Sequence, residues 1–339
     1  MRNSPFLAFA FLLLLSACGP EAQRPHDEAN IPGLDVITKA DPELEYENLR
    51  LYPITAAAGY IENHTAAARF KNLSEAIGNH RFRITEKKPF GRFEDQGAVN
   101  TLTVQNKSED MVFLMAGDVV QGGKQDRVIA QDLAVPPRTI TDIAVFCVEP
   151  HRWQARSEDG PGAADDPRHS GQNKRIYAFT GYYNVAANDI RRSATQSRNQ
   201  QQVWDEVGKV TAVHNAQTAT GAYAALENSE SFTQARARYL RFFEDKFDGA
   251  EDVVGVVAVT GNEVIGTDVF AHPELFKKQY KALIHSYITD AVTSGQPVGM
   301  KEEEIKAYEE NVWRKFRQEG GFEEAKYEFQ GMMVHFVDL

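Results

Sequence analysis

The stretch "ITDIAVFCVE", residues 140–149, indicates how the first half of the chain folds. Successive side chains of a strand point to opposite faces of a sheet, and here both faces are apolar. One face carries Ile143, Val145 and Cys147, and the other carries Ala144, Phe146 and Val148. Because strands that are apolar on both sides lie in the interior of β structures, we predict a central strand covered from both sides.

Shorter alternating segments precede this strand. They are "HRFRITE" (80–86), "VNTLTVQN" (99–106), "MVFLMAG" (111–117) and "VIAQDLAV" (128–135). Turn-forming residues separate them, among them "NKSED" and the pair Pro136-Pro137. The spacing predicts consecutive antiparallel strands that form a small sandwich or a half-barrel.

The second half of the chain combines helices with hairpins. Val203, Val207 and Val210 recur at helical spacing, and Pro273 is typical of the first position of a helix. Gly261-Asn262 suits a two-residue hairpin turn between two apolar runs. We therefore predict an α+β fold, with an N-terminal antiparallel β-sandwich or half-barrel followed by a mixed helix-and-hairpin half.

The N-terminus has the features of a secretory signal. A cation at Arg2 precedes an apolar run that is too short to span a bilayer, and small residues follow it. The ending "LSAC" resembles a bacterial lipobox, which implies cleavage before Cys18 and lipidation of that cysteine. Gly19, rather than Asp, follows Cys18, which in bacteria with two membranes favours the outer membrane. The alternative is an ordinary cleaved signal with a chance cysteine.

These patterns divide the chain into five segments. We predict a signal peptide at 1–17, a flexible tether at 18–47, an antiparallel β region at 48–153, a polar loop at 154–175, and an α/β region at 176–339 packed on the first. The tether is rich in Pro, Glu, Asp and Ala and lacks apolar periodicity. The polar loop is either a bland surface loop or a functional lid.

Composition excludes several classes of function. The formal net charge is −11 and no basic block occurs, so nucleic acid is not an expected partner. The chain has 2 cysteines, and an acylated Cys18 leaves Cys147 without a disulfide partner.

No familiar nucleotide or metal motif is present, so we predict neither a metal nor a cofactor. His80, His214, His285 and His335 are interpreted as ordinary edge-of-core or surface residues. Cys147 has no neighbouring cation on the face of its own strand until the strand ends, and we interpret it as a structural thiol.

Two polar clusters could carry chemistry. The first is "GGKQDR" (122–127), in which two glycines allow close backbone approach and the side chains offer donors to phosphate or carboxylate. The second is "CVEPHRW" (147–153) at the end of the central strand. Both adjoin strand ends, so they could share one rim of the sheet. The candidate ligand-binding residues are Lys124, Gln125, Arg127, Arg152 and Trp153.

The same residues admit other interpretations. Glu149 or Asp126 could act as a general base, which makes them weak catalytic candidates. Alternatively, Glu149 pairs with Arg127 or Arg152 and fixes the loop, while Trp153 covers the edge of the core.

These two motifs, together with "LSEAIGNHRFRITEK" (73–87), resemble a family of uncharacterised bacterial proteins. It is the ADP-ribosylglycohydrolase- and rhodanese/phosphatase-associated protein domain family, and the likeness spans roughly residues 49–291. The resemblance implies a link to NAD-derived or phosphorylated metabolites, and it implies no particular reaction.

Three hypotheses follow for the function of the chain. The first is a membrane-anchored binding or accessory domain for an anionic small molecule, with the lipid on Cys18 as the membrane contact. The second is a hydrolase of ADP-ribosyl or sugar-phosphate compounds. The third is a structural or protein-interaction lipoprotein of the cell envelope, whose protein partner the sequence does not identify.

Overall fold

A computed structural model describes residues 33–87, 100–152, 178–317 and 325–339 of the chain. The predicted signal peptide with Cys18, the predicted polar loop at 154–175, and Trp153 lie outside these described residues. Within them, the strands form a closed six-stranded barrel, a seven-stranded sheet and a three-stranded sheet. The predicted α+β class with an N-terminal antiparallel β region is confirmed.

The described strands and helices are numbered along the chain. The strands are β1 (Leu34–Val36), β2 (Glu45–Tyr46), β3 (Leu49–Ala56), β4 (Lys71–Asn72), β5 (Phe82–Glu86), β6 (Thr101–Asn106), β7 (Val112–Leu114), β8 (Asp118–Gly122), β9 (Arg127–Ile129), β10 (Leu133–Val135), β11 (Thr139–Cys147), β12 (Ala178–Val185), β13 (Val253–Thr260), β14 (Glu263–Phe270), β15 (Lys326–Phe329) and β16 (Met332–Asp338). The α-helices are α1 (Ala58–Asn63), α2 (Leu73–Ile77), α3 (Asn188–Arg192), α4 (Gln200–Val213), α5 (Glu230–Phe243), α6 (Pro273–Ser294) and α7 (Glu302–Arg317).

The barrel closes in the order β11-β6-β5-β12-β8-β9. Every second residue of these strands points inward, as the two-residue period of a strand requires. The interior is filled by Phe82, Ile84, Leu102, Val104, Val120, Ile129, Ile143, Val145 and Phe179. A six-stranded barrel leaves little interior space, and these side chains fill it as a packed core.

Strand β11 has the two apolar faces that the sequence predicts, over its second half. Val145 belongs to the barrel interior, while Phe146 and Val148 pack outside the barrel against Val203 and Val207 of α4. The first half differs, because Ile140 is 63% exposed. The central strand is therefore covered from both sides only where it approaches its end at Cys147.

The seven-stranded sheet is covered on both faces by helices. Its main path runs β1-β3-β13-β14-β16-β15, with β2 paired to β3. One face packs on α5 and α6, and the other packs on α7 through Ile305, Val312 and Trp313. The three-stranded sheet, β10-β7-β4, lies beside this core, since Phe113 and Ala134 belong to the same apolar cluster as α5 and α6.

The two predicted regions exchange strands. Strand β3, which the prediction places in the first region, pairs with β13 in the second. Strand β12, placed in the second region, pairs with β5 and β8 and completes the barrel. In addition, Leu34–Val36, predicted to be tether, forms β1 and pairs with β3. The described fold therefore begins before residue 48, and the seven-stranded sheet combines strands from both ends of the described chain.

Local sequence features mark several helix ends, and the predicted helix start at Pro273 and hairpin turn at Gly261-Asn262 are confirmed. Asn72 and Glu75 form a capping box at the start of α2, and Ser229 caps α5. Helix α6 begins at Pro273, and the hairpin between β13 and β14 turns at Gly261-Asn262. Among the described residues, no helix is both long enough and apolar enough to cross a bilayer.

Candidate functional site

The two sequence motifs meet at one end of the barrel. Cys147, the last residue of β11, pairs with Arg127, the first residue of β9. Strand β8 ends beside them at Gly122, and β5 ends there at Glu86, in register with Leu102 near the start of β6. The antiparallel order of the strands thus collects residues from distant parts of the sequence at one rim. We refer to this rim as the barrel-end cluster.

Arg152 fastens the glycine loop to the end of β11. Its Nε donates to Glu149 Oε2 at 2.6 Å, and its Nη2 donates to Asp126 Oδ1 at 3.0 Å. The same guanidinium donates to the backbone carbonyls of Gly123 at 2.9 Å and Gly122 at 3.2 Å. This geometry matches the interpretation in which Glu149 pairs with Arg152 and fixes the loop. Arg152 therefore has a clear structural role.

The loop between β8 and β9 is also held by backbone donors. The Gly122 N–H donates to Asp126 Oδ1 at 3.1 Å, and the Lys124 N–H donates to Glu86 Oε1 at 2.9 Å. Gly123 has a φ of +49°, and a Cβ there would lie 2.6 Å from Glu86 Oε1. Only glycine fits this turn, because it tolerates a left-handed backbone and adds no side chain. The Lys124 side chain is exposed on the outside of the loop.

Gln125 and Asp126, in contrast, are buried beneath the loop. Gln125 Nε2 donates to the Glu149 carbonyl at 2.8 Å, and the Asp126 N–H donates to Glu149 Oε2 at 3.2 Å. Both catalytic candidates, Glu149 and Asp126, thus use carboxylate oxygens to hold Arg152 and loop amides. A general base must reach a substrate proton, and these contacts serve to anchor the loop instead.

Arg127 differs from Arg152 in how its charge is balanced. Its side chain is 1% exposed, and its Nη1 donates to the neutral acceptors Gln125 Oε1 at 2.9 Å and Cys147 Sγ at 2.8 Å. The nearest carboxylate oxygen in the described chain, Glu86 Oε1, lies 3.7 Å from its Nη2. Arg127 Nε has no hydrogen-bond partner. Since buried charges are normally paired at hydrogen-bond distance, this guanidinium is incompletely compensated.

A cation from the neighbouring strand lies beside Cys147, which the sequence of its own strand does not reveal. Arg127 sits directly across the strand pair, because β11 and β9 place the two residues opposite each other. Burial nevertheless raises the pKa of the Cys147 thiol to about 11, and the opposing effect of Arg127 is smaller. The thiol is therefore protonated near neutral pH, and its Sγ donates a hydrogen bond to Gln125 Oε1 at 3.0 Å. This supports the structural interpretation of Cys147.

Comparison with known families agrees with the sequence motifs. The profile of the ARG and Rhodanese-Phosphatase-superfamily-associated Protein domain matches residues 38–333. The chain belongs to this family. The match confirms the resemblance seen at 49–291 and extends it in both directions, across the barrel and the large sheet together. No curated protein and no solved structure matches the chain.

This family member contains a second buried polar cluster that sequence analysis missed. His335 on β16 is fully buried, so its interpretation as an edge-of-core or surface residue is wrong. Its Nδ1 contacts Asp132 Oδ2 at 2.6 Å, and its Nε2 contacts Asp268 Oδ1 at 3.0 Å. Burial opposes the charged imidazole, but the two carboxylates outweigh it and raise the pKa of His335 to about 9. Both ring nitrogens then act as donors.

Arg191 completes this interface cluster, which joins the barrel to the sheet. Its Nη2 donates to Asp268 Oδ1 at 2.6 Å and its Nη1 donates to Asp268 Oδ2 at 3.1 Å, while Tyr287 also donates to this carboxylate. Despite burial, the Arg191 guanidinium holds the pKa of Asp268 below its ordinary value. Gly117 lies against Arg191, since a Cβ there would be 2.7 Å from Arg191 Cγ. The acidic partner Asp132 follows β9 and also accepts the Ala116 N–H at 2.7 Å.

No local sequence pattern reveals this interface cluster, because its members come from five separate segments. One indirect sign is available in the sequence: Asp268 directly precedes the apolar pair Val269-Phe270, and His335 stands within the apolar run "VHFV". A charged residue inside such a run is expected to be paired. Among the described residues, no group of histidine, cysteine, aspartate or glutamate side chains is arranged to hold a metal ion.

Proposed function

We propose that this chain is a lipid-anchored accessory protein of the cell envelope that binds an anionic small molecule at the barrel-end cluster. The observation that carries the binding proposal is the buried guanidinium of Arg127, whose nearest carboxylate oxygen in the described chain is 3.7 Å away. A phosphate or carboxylate placed against it would complete the charge compensation that the protein leaves incomplete. The anchor is proposed from the lipobox-like sequence before Cys18.

The surroundings of Arg127 suit an oxyanion. The planar guanidinium has an unused Nε donor, and guanidinium groups bind phosphate and carboxylate oxygens in two-pronged geometry. The exposed Lys124 lies on the same loop and adds positive charge at its outer side. Because Arg127 is 1% exposed, we expect the ligand to enter as the loop shifts, with Gly122 and Gly123 providing the backbone freedom.

The family supports a choice of ligand class. Its description records association with ARG and with the rhodanese-phosphatase superfamily. We therefore propose a ligand derived from ADP-ribose or a nucleotide, which presents phosphate oxygens at neutral pH. The hydrolase alternative, with Glu149 or Asp126 as base, has less support because Arg152 and loop amides occupy those carboxylates. The third hypothesis, a structural or protein-interaction lipoprotein, is the alternative against which the binding experiment is judged.

The first experiment is a binding titration of the purified full-length chain. ADP-ribose, NAD, nucleotides, sugar phosphates and acidic glycans are titrated by calorimetry, with thermal shift as a second readout. We expect saturable binding of one phosphorylated class, weakened by Arg127→Lys at least about tenfold, or about 1.4 kcal/mol. Lysine keeps the charge but loses the planar donor pair. Lys124→Ala is expected to weaken binding by a smaller factor.

Lys107→Ala is the matched control for this titration. Lys107 follows β6 at the opposite end of the barrel and is exposed, so its removal changes the net charge equally without touching the cluster. Equal weakening by Lys107→Ala would indicate binding by net charge alone and would contradict the proposed site. Absence of binding by the whole panel would favour the structural role. Turnover of a bound compound that Glu149→Gln abolishes would favour the hydrolase.

The proposed anchor is tested separately. In the native host, Cys18→Ser should move the protein from the membrane fraction to the soluble fraction, because the thioether-linked lipid can no longer form. Immunoblotting of the two fractions measures the distribution, and Cys147→Ser provides the cysteine control. Retention of the Cys18→Ser protein in the membrane fraction would contradict lipid anchoring through this residue.

A further inference from the structure

A polar cavity lies apart from the barrel-end cluster, on the side of the large sheet. It has a volume of about 620 Å³ and is lined by residues of α3, of the β13–β14 hairpin, and of the end of α6 with the segment that follows it. Its apolar lining consists of Val264, Ile265 and Pro297, and its other lining residues are polar, charged or glycine. The volume is in the range of small-molecule sites, and the lining favours a hydrophilic ligand.

Asp290 supplies a carboxylate to this cavity. Its Oδ2 accepts the Asn188 N–H at 3.1 Å, and it forms no salt bridge with any described residue. The cavity is also lined by Arg192, but the Arg192 Nη1 is engaged with Asp189 at 2.5 Å. Burial raises the pKa of Asp290 to about 7, and the opposing effect of the Arg191 charge is smaller.

Asn188 provides an unused donor beside this carboxylate. The residue is 2% exposed, and its Oδ1 accepts from Arg191 Nη1 at 3.0 Å and from Ser286 Oγ at 3.1 Å. Because arginine can only donate, Oδ1 must face Arg191, which fixes the orientation of the amide. Nδ2 then faces away from Arg191. It lies close enough to Asp290 to lower the pKa of that carboxyl, but no acceptor among the described residues has hydrogen-bond geometry with it. A buried amide donor left in this way is costly and is suited to an incoming acceptor.

We propose that this cavity binds a small hydroxylated primary amine, such as an amino sugar, with its ammonium group on Asp290 and a neighbouring oxygen on Asn188 Nδ2. The ammonium supplies the salt-bridge partner that Asp290 lacks among the described residues, and the oxygen satisfies the unused donor. The exposed Asn262 and Gln296 line the cavity and offer amide partners to further hydroxyl groups. The exposed Glu263 adds negative charge at the hairpin.

The test is isothermal titration of the full-length chain with D-glucosamine, D-glucose and N-acetyl-D-glucosamine. D-glucosamine should bind saturably, and the two uncharged sugars should not bind at the same concentrations. Asp290→Asn should weaken D-glucosamine binding at least about tenfold, or about 1.4 kcal/mol. Asparagine retains an oxygen for the Asn188 N–H, so the variant removes the charge and keeps the hydrogen bond. Asp205→Asn, the same change on the exposed face of α4, should leave binding unchanged.

A second variant keeps the test decisive if Asp290→Asn does not fold. Ser294 lines the cavity and is exposed near the end of α6, so Ser294→Trp should obstruct the cavity without disturbing the core. Equal binding of D-glucose and D-glucosamine, or D-glucosamine binding unchanged in both variants, would overturn the proposal. So would a lack of D-glucosamine binding to the unmodified chain. Arg127→Lys should not alter D-glucosamine binding, which separates this site from the barrel-end cluster.

Discussion

Arg127 and Arg191 are both buried arginines, yet their charges are balanced in different ways. Arg191 is 0% exposed and contacts both oxygens of Asp268, at 2.6 and 3.1 Å. Arg127 is 1% exposed and directs its hydrogen bonds to a neutral amide and a thiol. Each leaves its Nε without a partner, so an unpaired donor alone does not distinguish them. The distance from the guanidinium to the nearest carboxylate oxygen distinguishes them.

This difference separates a structural arginine from a candidate binding arginine. At the interface cluster, Asp132 and Asp268 balance protonated His335 and Arg191, so the four charges sum to zero within hydrogen-bond distance. At the barrel-end cluster, Glu86 Oε1 accepts the Lys124 N–H and lies 3.7 Å from Arg127. The protein itself thus balances the charge of Arg191, whereas an external anion can still improve the surroundings of Arg127.

The largest expected effect comes from removing the compensated charge. Arg191→Met leaves Asp268 buried without its closest cation, and breaking a buried ion pair on one side costs about 3–5 kcal/mol of unfolding free energy. Arg127→Met removes two hydrogen bonds to neutral groups, and we expect a smaller loss of about 1–3 kcal/mol. Urea unfolding of the two variants and the unmodified chain, followed by circular dichroism, measures both values.

Arg192→Met is the control for this pair of variants. Arg192 directly follows Arg191, and its exposed side chain pairs with Asp189 at the surface. Its removal should change the unfolding free energy by less than about 0.5 kcal/mol. If Arg127→Met and Arg191→Met proved equally destabilising, the charge of Arg127 would be as well compensated as that of Arg191. The proposed anion site would then lose its physical basis.

The two clusters also differ in how far the sequence predicts them. Gln125 and Arg127 at the barrel end belong to one motif, and Glu149 and Arg152 belong to another at the end of the next apolar strand. An antiparallel arrangement brings such neighbouring strand ends together, so their meeting could be expected from local pattern. What local pattern does not predict is the burial of Gln125 and Arg127, because that depends on how Arg152 folds the loop over them.

The interface cluster depends on long-range topology. His335 lies 203 residues from Asp132 and 67 residues from Asp268 along the chain. Its formation requires β16 to pair with β14 and the loop after β9 to reach the same place. The same dependence explains why the predicted regions exchange β3 and β12, since strand periodicity identifies a strand but not its partner. The period of each element was therefore predictable, and the pairing of distant elements was not.

A smaller effect, about 3 kcal/mol, is expected from the titration of His335. Its pKa is raised to about 9 in the folded protein, against about 6.5 in the unfolded chain. The folded state therefore holds the proton more tightly, so this contribution is complete below pH about 6.5 and disappears as the pH rises through about 9. Each pKa unit corresponds to about 1.4 kcal/mol, which gives the stated magnitude.

His335→Gln isolates this contribution from other groups that titrate nearby. Burial raises the pKa values of Asp118 and Asp290 to about 7. The unmodified chain therefore also loses stability as the pH rises from about 4 to about 7, for reasons unrelated to His335. Glutamine can contact both carboxylates but does not titrate. The free energies of unfolding of the two proteins, measured by urea titration from pH 6 to 9.5, should therefore converge as the pH rises. If the two free-energy curves instead ran parallel with pH, the imidazole of His335 would not be held protonated. The charges of the interface cluster would then not sum to zero, and the contrast between Arg191 and Arg127 would be weakened.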